Sequence, residues 1–274
     1  MILGLSGLLS VGLLFASFDS GRSPHLRIDF LDVGQGDSIL VTSPSGVQLL
    51  VDAGRDTSVL RSLGKVMPFM DRFIDVIVAT HPDADHIGGF PRVLGRFEVA
   101  EIIGLNSISE SNIFQSFSKK SKEERAELLD ARRGMLIDLG SGVFAQILFP
   151  YKNMTITGND SSVVIKIIYK QIEVLLTADA SIATEKHLIS LEGDLLESDI
   201  LKLGHHGSKT SSSQEFLEMV EPKIVIISAG FNNSYGHPHP EVIEKLEKYQ
   251  IPFVETSKEG TITIFSDGKS FWRR

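Results

Sequence analysis

The chain of 274 residues contains no cysteine, which excludes disulfide partners, thiolate metal sites and cysteine nucleophiles. It also lacks an excess of positive charge, because 35 acidic residues face 27 lysines and arginines and give a formal charge of −8. Binding of nucleic acid through bulk positive charge is therefore not expected, although bound divalent cations would reverse the sign where a phosphate lies. Aromatic residues make up only 8%, and no aromatic and basic stripe for single strands is visible.

Charge is missing altogether from residues 1–18, which are rich in Leu, Gly, Val and Phe. This length suits a short membrane helix or the apolar part of a signal peptide. No basic residues precede the run, which weakens the interpretation as a cleavable signal, and a buried helix of a soluble protein is the alternative. We predict a hydrophobic signal or membrane segment, forming a helix, over residues 1–20, and a protein that is exported or held at the cell membrane.

The rest of the chain alternates short β-rich runs with turns and helical spacing. Residues 57–70 have the spacing of a helix, and the apolar run 74–79 is typical of a strand buried on both faces. The polar residues 107–134 are predicted to be an inserted helical or mobile stretch. Strands followed by helices, twice over, predict one α/β (α+β) domain over residues 26–274, with two packed sheets and helices outside.

The strongest chemical signal is the segment His81-Pro82-Asp83-Ala84-Asp85-His86, which leaves the predicted strand 74–79. It places four potential ligands within six positions. Crowded carboxylates and imidazoles would repel one another and lose hydration unless a cation lies between them. Aspartate and histidine together suit zinc, manganese or iron. A solvated polar loop is the alternative, and we predict a metal site.

Three further strand ends or loops carry similar groups. Asp179 ends an apolar run, where capping of the next helix is the alternative role. His205 and His206 follow another run between two glycines, and because neighbouring side chains point different ways, only one is expected to bind a given metal. His237 lies in the loop before a helix that Pro240 is predicted to begin.

In this order these segments resemble the metallo-beta-lactamase superfamily and, more closely, the hydrolase domain of the ComEC family of DNA-uptake (competence) membrane proteins. The resemblance extends from about residue 26 to the C-terminus. It implies an αββα sandwich that holds two divalent metal ions, manganese or zinc, at one edge of the sheets. The strings that carry it are residues 30–38, 50–54, 80–89, 159–162, 176–179, 203–211 and 236–238.

For the first metal ion, the resemblance implies His81 and Asp83 as ligands. Asp83 stands where the wider superfamily usually has a histidine, and Asn159, or the nearby Asp160, stands where another histidine commonly completes this site. Both departures favour metals that prefer oxygen ligands, so manganese is expected to rival zinc.

For the second metal ion, the resemblance implies Asp85, His86 and His205 as ligands. Asp179 would bridge the two ions. Asp52 would not touch either ion, and it would orient a ligand from behind.

Asp85 and His237 are the predicted catalytic residues, since two divalent ions would activate water for hydrolysis and His237 would contact a phosphate or protonate the leaving oxygen. A structural loop histidine is the alternative for His237. Ser208 and Lys209 are predicted to contact phosphate, with surface solvation as the alternative for Lys209.

The leading hypothesis is a phosphodiesterase or nuclease that acts on DNA in connection with DNA uptake. The rivals are hydrolysis of a small phosphodiester, lactone or lactam on the same metal site, and a non-catalytic module of a membrane uptake or export complex. The resemblance, and not the composition, indicates DNA as the partner, and it places the hydrolase domain outside the cytoplasm.

Overall fold

The structure is a computed structural model that describes residues 23–104, 109–151 and 158–274. The hydrophobic segment predicted over residues 1–20 lies outside these ranges. Among the described helices, none is both long and apolar enough to cross a membrane.

Strands and helices alternate along the described chain. The strands are β1 (Leu26–Phe30), β2 (Ile39–Thr42), β3 (Gln48–Val51), β4 (Phe73–Val78), β5 (Glu98–Ile103), β6 (Glu127–Leu129), β7 (Leu136–Asp138), β8 (Val143–Phe149), β9 (Val164–Tyr169), β10 (Ile172–Leu176), β11 (Ile200–Lys202), β12 (Ile224–Ile227), β13 (Phe253–Glu255), β14 (Ile262–Ser266) and β15 (Phe271–Arg273). The α-helices are α1 (Ser58–Val66), α2 (Ala84–Ile87), α3 (Phe90–Val93), α4 (Asn112–Glu123), α5 (Ile182–Glu192), α6 (Gln214–Val220), α7 (Pro240–Lys248) and α8 (Thr256–Glu259).

Two sheets share these strands, in the orders β15-β14-β1-β2-β3-β4-β5-β6 and β13-β12-β11-β10-β9-β8-β7. Strands β3 to β6 run parallel in the first sheet, and β10 to β13 run parallel in the second. The loops that follow β4, β10 and β11 carry the predicted metal ligands. Ligand sites of α/β sheets lie outside such carboxyl ends, where loops can present polar groups without disturbing the core.

Apolar side chains fill three layers. The layer between the sheets includes Val78 and Ile226. A second layer joins the first sheet to helices α1, α3 and α4, where Phe90 and Phe117 stack with ring centroids 5.0 Å apart. The third layer joins the second sheet to α5, α6 and α7 around Phe216. The predicted arrangement of two sheets with helices outside is confirmed.

Two predicted segments differ from the structure. The helix predicted over residues 57–70 ends at Val66, because Pro68 disfavours helical backbone at Met67, which is extended. The predicted insertion at 107–134 contains α4, capped by the Ser111 hydroxyl, and then β6, which pairs with β5 at the sheet edge. The described part of this segment is therefore packed into the fold, with Phe117 fully buried.

Candidate metal centre

The loop after β4 places two buried histidines side by side, with the ring centroids of His81 and His86 4.0 Å apart. Asp52, which follows β3, holds this loop from behind. Its Oδ2 atom lies 2.7 Å from His86 Nδ1 and accepts a hydrogen bond of 2.7 Å from the Thr80 hydroxyl, while Oδ1 accepts from the Thr80 amide. This contact leaves His86 Nε2 facing the opposite direction.

A close approach of two backbones brings a further acid to this loop. Gly36 has φ +127°, and a Cβ atom there would lie 2.1 Å from the carbonyl oxygen of Asp85, so only glycine fits. The next residue, Asp37, donates its amide hydrogen to the same oxygen at 3.2 Å. The buried carboxylate of Asp37 thereby reaches the centre from the loop between β1 and β2.

Asp179, after β10, lies between two pairs of histidines. Its Oδ1 atom is 3.3 Å from His86 Nε2 and 3.5 Å from His206 Nε2. Its Oδ2 atom is 3.6 Å from His205 Nε2 and 3.9 Å from His81 Nε2. One carboxylate therefore joins two groups of nitrogen atoms.

A second aspartate accompanies each pair of histidines. Asp85 Oδ2 lies 3.5 Å from His206 Nε2, and Asp83 Oδ2 lies 3.8 Å from His81 Nε2. We call the group of Asp85, His86 and His206 the Oδ1 cluster, and the group of His81, Asp83 and His205 the Oδ2 cluster.

The ligand atoms fit divalent ions better than they fit one another. Among the described residues, the buried Nε2 atoms of His81, His86 and His206 and Oδ1 of Asp179 have no hydrogen-bonding partner. Their separations of 3.3 to 3.9 Å are long for hydrogen bonds. Ligand atoms held tetrahedrally about 2.1 Å from a metal lie about 3.4 Å apart. Imidazole and carboxylate donors at this spacing suit divalent metal ions, and two such groups are His81, His86 and Asp179, and Asp85, His86 and His206.

The structure places His205 away from the group of ligands in which the resemblance puts it. It is His206, and not His205, whose Nε2 atom lies near Asp85 and Oδ1 of Asp179, whereas His205 faces Oδ2. The reason is backbone conformation, because His205 and His206 both have left-handed φ angles, +47° and +55°. Two successive left-handed residues turn both side chains toward the centre, at a cost of about 1–2 kcal/mol each.

A buried ion pair lies behind His206. The side chain of Lys202, fully buried at the end of β11, donates to Asp37 Oδ2 and to the carbonyl of Ala178. Asp37 Oδ1 in turn lies 3.4 Å from His206 Nδ1, which also lies 2.8 Å from the carbonyl oxygen of Ser228. The Ser228 carbonyl therefore accepts the Nδ1–H of His206, the Asp37 carboxylate attracts the same ring by its charge, and Nε2 faces Asp179.

Burial and neighbouring charges shift the pKa values of this group. Burial alone would raise the pKa of Asp37, but Lys202 and His206 outweigh it and lower it to about 2. Burial lowers the pKa of His206, but Asp179 and Asp37 raise it to about 9. Burial lowers the pKa of His81 to about 3, with help from His86. The Asp37 carboxylate thus remains ionised and attracts positive charge, while the His81 ring stays neutral.

The loop before α7 covers one side of the centre. His237 is half-buried there, with its ring centroid 5.4 Å from that of His205, and it stacks on Tyr235 at 5.7 Å. Glycine at position 207 allows this loop to approach, because a Cβ atom there would lie 2.6 Å from Pro238, the residue after His237. Burial lowers the pKa of His237 to about 4, and the charges of His206 and His205 contribute to the shift.

Two of the other predicted site residues, Ser208 and Lys209, make contacts with nearby residues of their own loop and of the loop before α7. The buried Ser208 hydroxyl lies 3.0 Å from that of Thr210, and the exposed Lys209 binds the His239 ring through its backbone amide. Asn159 Nδ2 lies 3.3 Å from His205 Nε2, beside the Oδ2 cluster.

Asp160 does not reach the centre. Its carboxylate accepts a 2.6 Å hydrogen bond from the hydroxyl of Ser181, the residue that caps α5. Of the two neighbouring residues at this position, Asn159 is the one brought to the metal ligands.

Sequence reasoning did not assign roles to His206, Asp37 and Lys202. Lys202 had a readable signal, since a charged residue in an apolar strand needs a buried partner. Asp37 lies in the string 30–38, which we interpreted as strand and turn.

Comparison with known proteins agrees with this geometry. The family model of the metallo-beta-lactamase superfamily matches residues 31–230. ComE operon protein 3 of Bacillus subtilis (strain 168) is 30% identical over 253 residues, which cover 86% of this chain and 32% of that protein. Recombination protein 2 of Haemophilus influenzae (strain ATCC 51907 / DSM 11121 / KW20 / Rd) is 29% identical over 253 residues, which cover 90% of this chain and 30% of that protein. The chain thus spans about a third of the length of these relatives.

Solved structures share the fold. YhfI of Bacillus subtilis, a metallo-beta-lactamase fold protein, superposes with a TM-score of 0.57 at 14% identity and covers 84% of this chain and 95% of its own. Zn²⁺-bound PqqB of Methylobacterium extorquens superposes with a TM-score of 0.54 at 11% identity and covers 84% and 87%. With its two packed sheets and its candidate metal centre, this chain belongs to the metallo-beta-lactamase superfamily.

Proposed function

We propose that the chain is a metal-dependent phosphodiesterase that hydrolyses DNA. The observation that carries the proposal is the arrangement of two His/Asp clusters around the single carboxylate of Asp179. A pair of divalent ions suits phosphodiester hydrolysis, because they lower the pKa of water and neutralise charge on the phosphate. The similarity to ComE operon protein 3 and to a competence protein of Neisseria gonorrhoeae (29% identical over 259 residues) supports DNA as the substrate.

Each cluster would hold one ion, and Asp179 would share an oxygen with each. The Oδ2 cluster has a carboxylate, Asp83, at a position where the superfamily usually has a histidine. Its side chain is 47% exposed. An added oxygen donor favours manganese over zinc at this cluster.

The residues of the chain would bind and orient the phosphate. His237 has a pKa of about 4 and is neutral at pH 7. Its ring therefore has a single N–H donor and carries no second proton that it could transfer to a leaving group. Its Nδ1 atom is buried and has no hydrogen-bonding partner among the described residues. We infer that His237 donates a hydrogen bond to a phosphate oxygen and positions it beside the Oδ2 cluster, since its ring lies nearer to His205 than to His206.

The test is hydrolysis by the purified full-length chain. Single- and double-stranded DNA, a chromogenic phosphodiester and a chromogenic lactam are compared with manganese, zinc or magnesium added after chelation. We expect DNA cleavage with manganese, and loss of cleavage in Asp85→Asn with unchanged circular dichroism. Hydrolysis of the lactam but not of DNA would contradict the proposal. Folded protein that binds metal but hydrolyses none of the substrates would instead indicate a non-catalytic module.

A further inference from the structure

The end of the sandwich opposite the metal centre carries an unusual surface. Strands β1, β3, β4 and β5 all begin at this end, since β1 and β3 are each antiparallel to β2 and β3 to β5 run parallel. The metal ligands follow the carboxyl end of β4. Whatever binds at the end where these strands begin therefore lies away from the centre and leaves it open.

Apolar side chains project from this end, between α1 and β4. Phe69 is 84% exposed, Met70 81% and Phe73 44%, and Pro68 beside them is exposed as well. We call these four residues the apolar rim. Single exposed apolar residues are common on soluble proteins, but a consecutive exposed Pro-Phe-Met followed closely by Phe marks an interaction surface.

Basic residues surround the apolar rim. Arg61 and Lys65 lie one turn apart on α1, Arg72 lies between Met70 and Phe73, and Arg96 precedes the start of β5, which pairs with Phe73. All four are exposed. Of the acids beside the rim, Asp71 is half-buried and its carboxylate accepts hydrogen bonds from the Gln48 side chain and the Phe73 amide, whereas Glu98, which pairs with Phe73, is exposed. Exposed basic residues therefore outnumber exposed acidic ones around the rim, in a chain whose formal charge is −8.

Strand β1 also begins at this end, next to the last residue of α1. The guanidinium of Arg27 donates to the carbonyl of Val66 at 3.1 Å, and a cleft here is lined by Ser23 and His25 on one side and by Met67 on the other. Only residues 19–22 separate this cleft from the uncharged segment 1–18. The described chain begins at this end with Ser23, which follows residue 18 by five Cα steps, at most about 18 Å of chain.

We propose that the apolar rim inserts into the headgroup layer of an anionic lipid bilayer, with the surrounding basic residues on the lipid phosphates. Aromatic and apolar side chains next to lysine and arginine are the combination that binds such interfaces. Trp272, which packs edge-on against His25 near the same end, is a further residue type suited to this layer. Bound in this way, the domain directs its metal centre away from the membrane.

The test places a fluorescent reporter in the rim of the full-length chain. Trp272 is the sole tryptophan, so W272F followed by F69W leaves one indole in the apolar rim. The matched control is F231W in the same background, because Phe231 is 78% exposed but follows β12 at the metal end. We expect anionic vesicles with brominated acyl chains to quench the indole at position 69 at least twofold and to leave the indole at position 231 unquenched.

The charge contribution is tested separately. Lys65→Glu with Arg72→Glu, added to the F69W protein, should abolish quenching, and neutral vesicles should quench much less than anionic ones. Equal quenching at positions 69 and 231 would overturn the proposal. So would an emission from the F69W protein that is already blue-shifted without vesicles and unchanged by them, because another part of the chain would then cover the rim.

Discussion

The two clusters around Asp179 contain similar ligands but differ in what lies behind them. In the Oδ1 cluster, the Asp52 carboxylate binds Nδ1 of His86, and the Ser228 carbonyl binds Nδ1 of His206, with the Asp37 carboxylate 3.4 Å away. In the Oδ2 cluster, the contacts behind the histidines are neutral. Hydroxyl groups lie 3.0 Å from Nδ1 of His81 and of His205, and the side chain of His205 is 24% exposed.

This difference predicts unequal metal sites. Ligands oriented by buried carboxylates lose little freedom when an ion binds, and the carboxylates increase the basicity of the imidazoles. We expect the Oδ1 cluster to bind its ion tightly and the Oδ2 cluster to exchange its ion readily. Four sets of substitutions test whether the two clusters differ in this way.

The largest effect is expected at the shared ligand. Asp179→Ala removes an oxygen from both clusters, so the affinity for both ions should fall by more than the roughly 10–100-fold that loss of an outer partner costs. Calorimetric titration with manganese measures both sites. Asp160→Ala is the control, because that acid bonds Ser181 instead. Retention of one tight ion in the Asp179 variant would show that the clusters do not share this carboxylate.

The neighbouring histidines should separate the two sites. His206→Ala should remove the tight ion, because it deletes a nitrogen of the Oδ1 cluster, whereas His205→Ala should remove only the weak one. Metal content after gel filtration distinguishes the two variants. The weakly bound ion is lost from both during filtration, whereas the tightly bound ion should remain in His205→Ala and be missing from His206→Ala. The reverse result would restore His205 to the second metal site, as the resemblance first implied.

A smaller effect is expected behind His206. Lys202→Met removes the group that fixes Asp37 beside His206, and the lost orientation of the ligands should outweigh the removal of a positive charge and weaken the tight site by about 10–100-fold. Lys166→Met is the matched control, because Lys166 is also buried and paired with an acid, Glu173, but its other bonds are to the carbonyls of Leu195 and Glu197 and none is to a residue of the centre.

Loss of folding must be separated from loss of affinity. An unpaired buried carboxylate can cost about 3–5 kcal/mol of folding stability. The double variant with Asp37→Asn leaves no unpaired charge and should fold but still bind metal weakly. Native affinity in the folded double variant would show that the pair serves stability alone.

The smallest effect is expected at the Oδ2 cluster. Thr210→Val removes a hydroxyl 3.0 Å from His205 Nδ1. One neutral hydrogen bond contributes about 1 kcal/mol, so the weak site should lose about fivefold in affinity and the tight site nothing. A change at the tight site, measured in the same titration, would contradict the division into two clusters.

Local sequence patterns predicted the site residues where several potential metal ligands occur within a short segment. Residues 81–86 are crowded with ligands beside an apolar strand, and Asp179 ends another apolar strand, so both positions could be predicted from local pattern. The two-sheet fold followed from the order of strands and helices. The structure brings these segments together at the carboxyl ends of parallel strands.

The choice between His205 and His206 could not be predicted in the same way. It depends on two successive residues with left-handed backbone, and histidine does not favour that conformation strongly enough for the sequence to reveal it. The partnership of Lys202 with Asp37 joins residues far apart in sequence across two sheets, which local patterns do not encode. The end of α1 at Val66 was readable from Pro68 and was placed too late.

The clusters draw their ligands from both sheets, and this has a consequence for unfolding. His81 to His86 follow a strand of the first sheet, while Asp179 to His206 follow strands of the second. About ninety residues separate His86 from Asp179, and a cross-link that closes so long a loop removes much entropy from the unfolded chain. A chelator should therefore lower the melting temperature. Hydrogen exchange should accelerate first in the strand ends and loops where the two sheets contribute ligands to the centre.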